Sequence, residues 1–551
     1  MRIGHLPGVE LEFSLFAPYV AHVELIGSWS GDPIALSRDE KGRWSVDADL
    51  PDGTHTYRFR LPSRSPFLHG KVVDVTDPQS RLVDEFHGDG SLIVVRDGSD
   101  VTVAPEFEWK HDGVPLPQNQ DLTIYELHVG EFGWSDDRPG RFRNVVERLD
   151  YLRDLGINAI ELMPVGAFPG DQSWGYNVRH PFAVETVYGE PADLKYLVDE
   201  CHGRGIRVIM DLVLNHVEFL SPLTQIDFYY WFRDARDGEL SFGPKFDYEM
   251  LDEEFDVMPA RKYAHEIARF WISEYHLDGY RLDATAILDN FDLVREVREI
   301  ANDVSGGKPI FIVAEQLPED PAIAGTDAPA DGAWHQWFEH AVIGAMTNLT
   351  AESESELLLA LQPSNHGYES PGLVVNYVES HDEQTLMHVL AQDGTFGPSA
   401  LRKHKLVSTL LFTAVGIPML YQGQEFGGNR VRDMEIRPLQ WDLLEHEFGQ
   451  ELYAHHRSIS RIRHESPALK GVEFEALDAG TIDGLIVFRR GGGDAEVIVI
   501  ANLVDEEREI SVSFPDGAWR EITFDYDVVV QDGVLSETIL ASGAKLFVRK
   551  S

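Results

Sequence analysis

Short stretches in which apolar and polar residues alternate dominate the first hundred positions. Residues 9–17, 44–50 and 55–61 follow this two-residue period, and residues 23–26 form a further short apolar run. Because successive side chains of a strand point to opposite faces, the pattern predicts a small antiparallel β-sandwich over residues 1–105.

From about residue 120 the pattern changes to apolar runs separated by longer amphipathic segments. Seven runs have the length of a strand: residues 123–129, 159–165, 208–214, 279–284, 310–315, 374–380 and 417–425. Residues 144–155 and 192–203 have helical periodicity. Strands that are apolar throughout indicate a parallel sheet covered on both faces by helices. With an eighth, weakly marked strand near residues 333–343, the pattern predicts an α/β fold, a (β/α)8 barrel over residues 106–465.

Two further regions depart from the barrel pattern. Residues 217–258 lie between the third and fourth strands and are not clearly helical, so they are predicted to form a short inserted subdomain. Near the C-terminus, strand-like runs return at residues 496–500, 509–514 and 545–549. They predict a C-terminal antiparallel β domain over residues 466–551.

The charge of the chain indicates which kinds of molecule it does not bind. The 551 residues include 93 acidic and 47 basic side chains, which gives a net charge of -46. Such a surface repels nucleic acid, so a DNA or RNA partner is not expected. Only 12 of the basic residues are lysines, and the acids are spread along the whole chain. This composition favours a protein from a salt-accumulating organism over an acidic enzyme from an ordinary one.

Several features bear on the location of the protein. No apolar run reaches the roughly 18 residues that span a bilayer, so no membrane partner is expected. Residues 1–7 lack the basic and apolar regions of a secretory signal. The single cysteine, Cys201, cannot form an internal disulfide and is expected to be a buried small side chain. We therefore expect a cytoplasmic protein, and the sequence leaves its oligomeric state open.

Carboxylates recur where the predicted strands end. Asp211 lies on the third strand, Asp283 ends the fourth, Glu315 ends the fifth and Asp382 follows the seventh. The intervals of 32 and 67 residues between the last three correspond to one and two β/α units. Chemistry in these barrels occurs at the C-terminal strand ends, so the spacing predicts one shared site. Holding like charges together is costly, which favours a functional role over a structural one.

The residue types at this predicted site favour one reaction class. There is no cysteine ligand and no glycine-rich phosphate loop, so neither a metal ion nor a cofactor is predicted, and a phosphate-dependent or metal-dependent enzyme is not indicated. Paired carboxyl groups suit glycosidic cleavage, in which one attacks the anomeric carbon and the other protonates the leaving oxygen. A non-catalytic glucan-binding scaffold is the alternative, but it would not require all three acids.

Four segments resemble, in order, the four motifs of the α-amylase superfamily, glycoside hydrolase family 13. They are residues 211–216 (DLVLNH), 279–283 (GYRLD), 312–315 (IVAE) and 378–382 (VESHD). The resemblance extends over roughly residues 120–430. Residues 13–18 (FSLFAP) and 23–27 (VELIG) are similar to the carbohydrate-binding-type sandwich that precedes such barrels in some members.

The resemblance implies roles for individual residues. Asp283 would be the nucleophile that forms a covalent glycosyl-enzyme, and Glu315 the general acid and then base. Asp382 would bind the distorted sugar ring and stabilise the transition state. The resemblance further implies substrate-binding roles for five residues. Arg281 would keep Asp283 ionised, and His216 and His381 would bind sugar hydroxyls. Tyr176 would be an aromatic platform, and Asp211 would also belong to the substrate-binding group.

The motifs leave the exact reaction open. Residues 284–288 (ATAIL) lack the Lys-His pair common in calcium-dependent α-amylases, so no metal site is assigned. Residues 124–130 are similar to trehalohydrolases and branching enzymes, residues 380–383 to branching enzymes and residues 376–382 to debranching enzymes. The leading hypothesis is a retaining hydrolase of α-1,4-linked, or alternatively α-1,6-linked, glucans. A maltooligosyltrehalose trehalohydrolase and a glucan branching enzyme are the alternatives.

Overall fold

Eight parallel strands close into a barrel in the middle of the chain. The computed structural model describes residues 8–68, 70–84, 90–135, 138–233, 242–479, 482–493 and 495–550. The barrel strands are β1 (Ile124–Leu127), β2 (Ala159–Leu162), β3 (Arg207–Leu212), β4 (Gly279–Leu282), β5 (Phe311–Ala314), β6 (Gly332–His335), β7 (Val375–Asn376) and β8 (Ile417–Tyr421). Each pairs with the next along the chain, and β8 pairs with β1, where Ile124 lies opposite Met419. The predicted barrel is confirmed.

Seven of the strands lie within the predicted apolar runs or start one residue earlier, and the runs continue past the strand ends. The eighth differs. The sequence predicted a strand near residues 333–343, but β6 ends at His335 and the following residues form a helix. Its buried residues Phe338, Ala341 and Ala345 recur at helical spacing, so one helical face packs against the barrel. The prediction is wrong beyond residue 335.

Helices cover the outside of the barrel between most strands. The longer ones are α1 (Leu149–Leu155), α2 (Pro191–Gly203), α3 (Pro259–Tyr275), α4 (Phe291–Val304), α5 (Gln336–Thr347), α6 (Ala351–Ala360), α7 (Leu386–Gln392), α8 (Gly397–Thr413) and α9 (Glu447–Glu465). Short helical turns occur at Val129–Phe132, Phe142–Val146, Pro222–Ile226, Phe228–Trp231, Thr285–Leu288 and Pro467–Lys470. The described residues include no helix that combines the length and apolar character needed to cross a bilayer.

An apolar cluster drawn from seven of the strands fills the barrel. Its members on the strands are Ile124, Ala159, Ile209, Phe311, Val313, Trp334, Val375, Ile417 and Met419. The strand β4 instead begins with Gly279, where a Cβ would lie 2.0 Å from the carbonyl oxygen of Phe311. Because inward-facing side chains recur every second residue, the next inward positions belong to acids and Arg281. An apolar floor therefore lies beneath a charged layer at the C-terminal mouth.

The N-terminal region is a β-sandwich whose core includes Phe13, Leu25, Trp44 and Phe59. One sheet contains Gly8–Phe16, Ser37–Arg38 and Arg43–Pro51, and the other contains Glu24–Gly27, Ile34–Ala35, Gly53–Pro62, Val72–Val75, Val83–Asp84, Gly90–Arg96 and Ser99–Asp100. The sandwich contacts the segment inserted between β3 and α3, since Arg64 N donates to the carbonyl oxygen of Ile226 at 2.8 Å.

The C-terminal region consists of antiparallel strands. Phe474–Leu477, Leu485–Gly492, Ala495–Asn502, Gly517–Glu521, Tyr526–Val530 and Gly543–Arg549 form one sheet, and Arg508–Ser513 pairs with Val534–Ile539. The helix α9 ends at Glu465, and the short helical turn Pro467–Lys470 separates it from the first of these strands. The sandwich and the C-terminal sheet region predicted from the sequence are confirmed, while the boundaries at residues 105 and 465, and those of the insert, stay predictions.

Candidate active site

The eight site residues predicted from the sequence form one connected group at the mouth of the barrel. Asp211 and Arg281 lie on β3 and β4, Asp283 and Glu315 directly follow β4 and β5, and the loops after β2, β3 and β7 supply Tyr176, His216, His381 and Asp382. Contacts of the individual side chains, described below, link seven of them, and His216 joins the group through Asn215. The structure therefore brings these residues together, while their individual roles stay predictions.

Arg281 is the centre of this group. Its Nη1 lies 2.6 Å from Asp211 Oδ2 and 3.0 Å from Asp283 Oδ1, and its Nη2 lies 2.9 Å from Glu315 Oε2. The guanidinium is fully buried, and its central carbon lies 4.4 Å from the centroid of the Trp334 ring. One buried cation thus holds three carboxyl groups in fixed positions, which a planar fork of donors does better than a point charge.

Burial determines the protonation of Glu315. Burial raises the pKa of Glu315 to about 7, with Arg281 opposing the rise and Asp283 adding to it. The backbone N–H of Ala284 donates to Glu315 Oε2 at 2.7 Å. Ala284 has a φ of 42°, a left-handed conformation that is costly for a residue with a side chain and that turns this N–H towards the acid. A carboxyl group with such a pKa can exchange a proton near neutral pH.

Asp283 accepts hydrogen bonds on both carboxylate oxygens. Arg281 binds Oδ1, and Asn215 Nδ2 donates to Oδ2 at 2.7 Å. Asn215 in turn contacts His216 through its own carbonyl oxygen. Burial lowers the pKa of His216, so its imidazole is neutral at neutral pH. Asn215 lay within a recognised motif but received no role from the sequence; the structure shows that it orients Asp283.

Asp211 contacts the same guanidinium nitrogen as Asp283, and Tyr176 binds Asp211. The Tyr176 hydroxyl donates to Asp211 Oδ2 at 2.5 Å, and its ring stacks on that of His381 with centroids 4.9 Å apart. Burial raises the pKa of Asp211 to about 6, against the lowering effect of Arg281. Asp211 is only 2% exposed, so it contacts Arg281 and Tyr176 beneath the mouth.

Asp382 is the most exposed of the three principal acids, with 38% of its side chain accessible, against 12% for Asp283 and 10% for Glu315. Its Oδ2 lies 3.1 Å from His381 Nε2, and its Oδ1 lies 2.7 Å from Arg432 Nη2. Burial favours a raised pKa for Asp382, but His381, Arg281 and Arg432 outweigh it and lower the pKa below its usual value.

Sequence reasoning missed two further residues of this group. Glu126, on β1, binds His381 from inside the barrel, and Arg432, in the loop after β8, binds Asp382 from the outside. The loop that carries Arg432 is anchored to the buried Glu131, whose Oε1 lies 3.1 Å from Arg430 Nη2 and accepts the backbone N–H of Arg437. A signal for Glu126 existed, since it is a charged residue at an inward position of an apolar run. None existed for Arg432.

The described side chains contain no group of three or more His, Cys, Asp or Glu residues placed to hold a metal ion. The acids of the site are instead bound by arginine, histidine, asparagine and backbone donors. The chemistry available is therefore proton transfer by Glu315, attack by a carboxylate, and hydrogen bonding to hydroxyl groups. These three operations together are what the cleavage of a glycosidic bond requires.

Known proteins are similar to this chain over most of its length. Residues 119–464 match the family model "Alpha amylase, catalytic domain". A malto-oligosyltrehalose trehalohydrolase of Saccharolobus solfataricus is 28% identical over 455 residues, which cover 75% of this chain and 73% of that protein. A 1,4-alpha-glucan branching enzyme of Corynebacterium jeikeium is 26% identical, covering 95% and 77%. A pullulanase of an Anoxybacillus species, complexed with maltotetraose, superimposes with a TM-score of 0.82 at 20% identity, covering 99% and 87%.

Proposed function

The chain belongs to the alpha-amylase family and is an enzyme acting on glucosidic bonds of α-glucans, and from this premise we propose that it hydrolyses α-1,4 bonds in malto-oligosaccharides or longer chains with retention of configuration. The observation that carries the proposal is that Asp283 and Glu315 bind the two arms of one guanidinium at the open end of the barrel. This closeness supports the carboxyl separation of about 5–5.5 Å found in retaining enzymes, rather than the wider spacing of inverting ones.

In the proposed reaction, the Asp283 carboxylate attacks the anomeric carbon while Glu315 gives its proton to the departing glycosidic oxygen. The bond from the carbon to that oxygen breaks, and a covalent glycosyl-enzyme forms. Glu315, now a carboxylate, then takes a proton from a water molecule, whose oxygen attacks the same carbon and releases Asp283. Both steps use groups whose positions Arg281 fixes.

The other residues would bind the sugar and the charge that develops on it. Asp382 is exposed enough to accept hydrogen bonds from ring hydroxyls, and the neutral His216 can both donate and accept them. Tyr176 offers a ring at the mouth as a platform. Asp211 is proposed to act through Arg281 and Tyr176, because it is buried beneath both.

The rate is expected to depend on the protonation of Glu315. Because burial raises the pKa of Glu315 to about 7, the proton-donating form is present below that pH and is lost above it. We expect kcat/KM to fall about tenfold per pH unit above about pH 7, measured from about pH 5 to about pH 9.

The variant Glu315→Gln provides the control. It is expected to lose this alkaline limb when assayed with a nitrophenyl maltooligoside, whose leaving group departs without a proton. A wild-type profile that stays flat to about pH 9 contradicts the assignment of Glu315 as the acid.

Trehalohydrolase activity is the second candidate, because the relative from Saccharolobus solfataricus has that activity in its name. Branching shares the first chemical step and differs only in the acceptor, a glucan hydroxyl in place of water. The deciding experiment is the product profile after incubation with maltooligosaccharides, starch and a maltooligosyl-trehalose. Short maltodextrins support the leading proposal, free trehalose selects the second candidate, and new branch points without loss of polymer select branching.

We also propose that the net charge of -46 suits the protein to high salt. Screening weakens repulsion between exposed acids, so activity and melting temperature are expected to rise between low and multimolar potassium chloride. The same product assay, repeated across this series, tests the proposal, and equal activity and stability throughout would oppose it. A cytoplasmic location likewise stays a prediction.

A further inference from the structure

The imidazole of His381 lies between two carboxylates. Glu126 Oε1 is 2.5 Å from His381 Nδ1, and Glu126 Oε2 accepts the backbone N–H of His381 at 3.1 Å. On the other side, Asp382 Oδ2 is 3.1 Å from Nε2. A carboxylate only accepts hydrogen bonds, and a neutral imidazole has a single N–H. Two such contacts therefore require the doubly protonated, positively charged ring.

We propose that Glu126 is a positioning residue for the reaction: it keeps His381 charged and directs the Nε2–H of that ring at Asp382. The inference rests on the proposed function, in that it assumes that Asp382 binds the reacting sugar. Glu126 itself lies on β1 and is only 1% exposed, so its carboxylate is covered by protein atoms. It acts through His381 in the way that a buried carboxylate fixes the orientation and charge of a histidine at other active sites.

Because His381 is buried, it needs Glu126 as well as Asp382 to remain charged. Burial lowers the pKa of His381, and Glu126 and Asp382 together raise it well above its usual value. The ring cannot turn away, since Tyr176 stacks on it and Trp174 meets it edge-on with centroids 5.6 Å apart. The titratable groups that face it are Glu126, His128, Glu161, Tyr176, Asp211 and Asp382.

Removing the charge of Glu126 should therefore make catalysis sensitive to the protonation of His381. In Glu126→Gln the ring loses its inner anion, and its pKa falls. As pH rises, the ring becomes neutral, keeps one N–H and loses its hydrogen bond to one of its two neighbours. We expect kcat to fall about 10- to 100-fold relative to wild type at about pH 8, with a clearly smaller loss at about pH 5.

Two matched variants separate this role from simple packing. Glu126→Asp retains the charge, so its loss of kcat should be nearly the same at both pH values. Glu161→Gln changes the neighbouring residue, which lies opposite Glu126 on β2 and is equally buried, and whose carboxyl oxygens make no hydrogen bond to the residues that the structure describes. Burial raises the pKa of Glu161, and neither of its oxygens binds His381 or Asp382, so Glu161→Gln should leave the pH profile unchanged.

A double-mutant cycle with His381→Gln completes the test. If Glu126 acts through His381, Glu126→Gln should have no further pH-dependent effect on kcat in that background. A loss that is equal at both pH values in Glu126→Gln, or that persists unchanged in the double variant, overturns the proposal.

The charge of His381 can also be measured without any substrate. NMR of the wild-type protein labelled with 15N-histidine should show an imidazolium at residue 381 at about pH 8, identified from its absence in His381→Gln. A neutral ring there overturns the inference even if Glu126→Gln fails to fold. Absence of all glucan-cleaving activity in the wild type would contradict the proposed function instead, and would leave this result standing.

Discussion

The variant Asp283→Asn is expected to lose at least about 10,000-fold in kcat on maltooligosaccharides while keeping its fold. Asparagine matches the carboxylate in shape and can remain beside Arg281 and Asn215, but its amide cannot form the glycosyl-enzyme. Steady-state and single-turnover rates, with melting temperature as the measure of folding, are the relevant readouts.

Asp289→Asn provides the control for this change. Asp289 lies six residues further on, is exposed, and has a φ of 53°, which asparagine tolerates well. We expect it to retain nearly full activity. If Asp283→Asn kept more than about a hundredth of the wild-type kcat, Asp283 could not be the nucleophile.

Replacing Arg281 by glutamine is expected to have the largest effect on stability. Three carboxyl groups, those of Asp211, Asp283 and Glu315, would lose their shared cation in a buried place. Breaking a buried ion pair from one side typically costs about 3–5 kcal/mol, which should lower the melting temperature by roughly 5 °C or more. Calorimetry on the variant and the wild type measures the difference.

The acids that remain in Arg281→Gln determine how its loss of stability depends on pH. The pKa values of Asp211 and Glu315, about 6 and about 7, are already raised above their unfolded values, and they rise further without Arg281. An acid whose pKa is higher in the folded than in the unfolded state binds more protons in the folded state. The free energy of unfolding therefore falls as pH rises. The difference between variant and wild type should therefore be larger at about pH 8 than at about pH 5.

Two companion variants refine this test. Arg281→Lys keeps the positive charge but loses the planar fork that contacts all three acids. We therefore expect it to restore more of the stability than of the catalytic rate. Adding Asp211→Asn to Arg281→Gln removes one uncompensated acid and should recover part of the lost stability. An equal melting temperature for Arg281→Gln and wild type at both pH values would show that the arginine does not hold these acids together.

The apolar pattern identified most of the barrel because buried parallel strands need apolar residues on both faces. It failed at β6, where only Gly332–His335 is extended and the amphipathic residues that follow continue as α5. Because the helix begins at the residue after the strand, the apolar residues of the two elements form one continuous stretch in which the boundary is not visible. The predicted runs were also too long at the other strands, because they included the turns that follow them.

The site was predictable where strand register alone determines it. Asp283 and Glu315 follow strands whose inward positions are set by a two-residue period, so their meeting follows from the barrel. Glu126 obeys the same rule, but a single polar residue in an apolar run resembles ordinary alternation. The contact between Arg432 and Asp382 joins residues 50 positions apart through an irregular loop, which has no period from which to infer it.

The apolar floor of the barrel has a consequence for how reactants move. The cluster that includes Phe311, Val313 and Trp334 fills the barrel below the acids. In the proposed reaction, glucan, water and product are therefore expected to enter and leave through the C-terminal mouth. A long glucan bound across the mouth would restrict the entry of other molecules. In the proposed cycle Glu315 still regains its proton, because the water molecule that releases Asp283 replaces the proton that Glu315 gave to the departing sugar. Each turnover therefore admits one molecule of water and needs no separate proton channel through the floor.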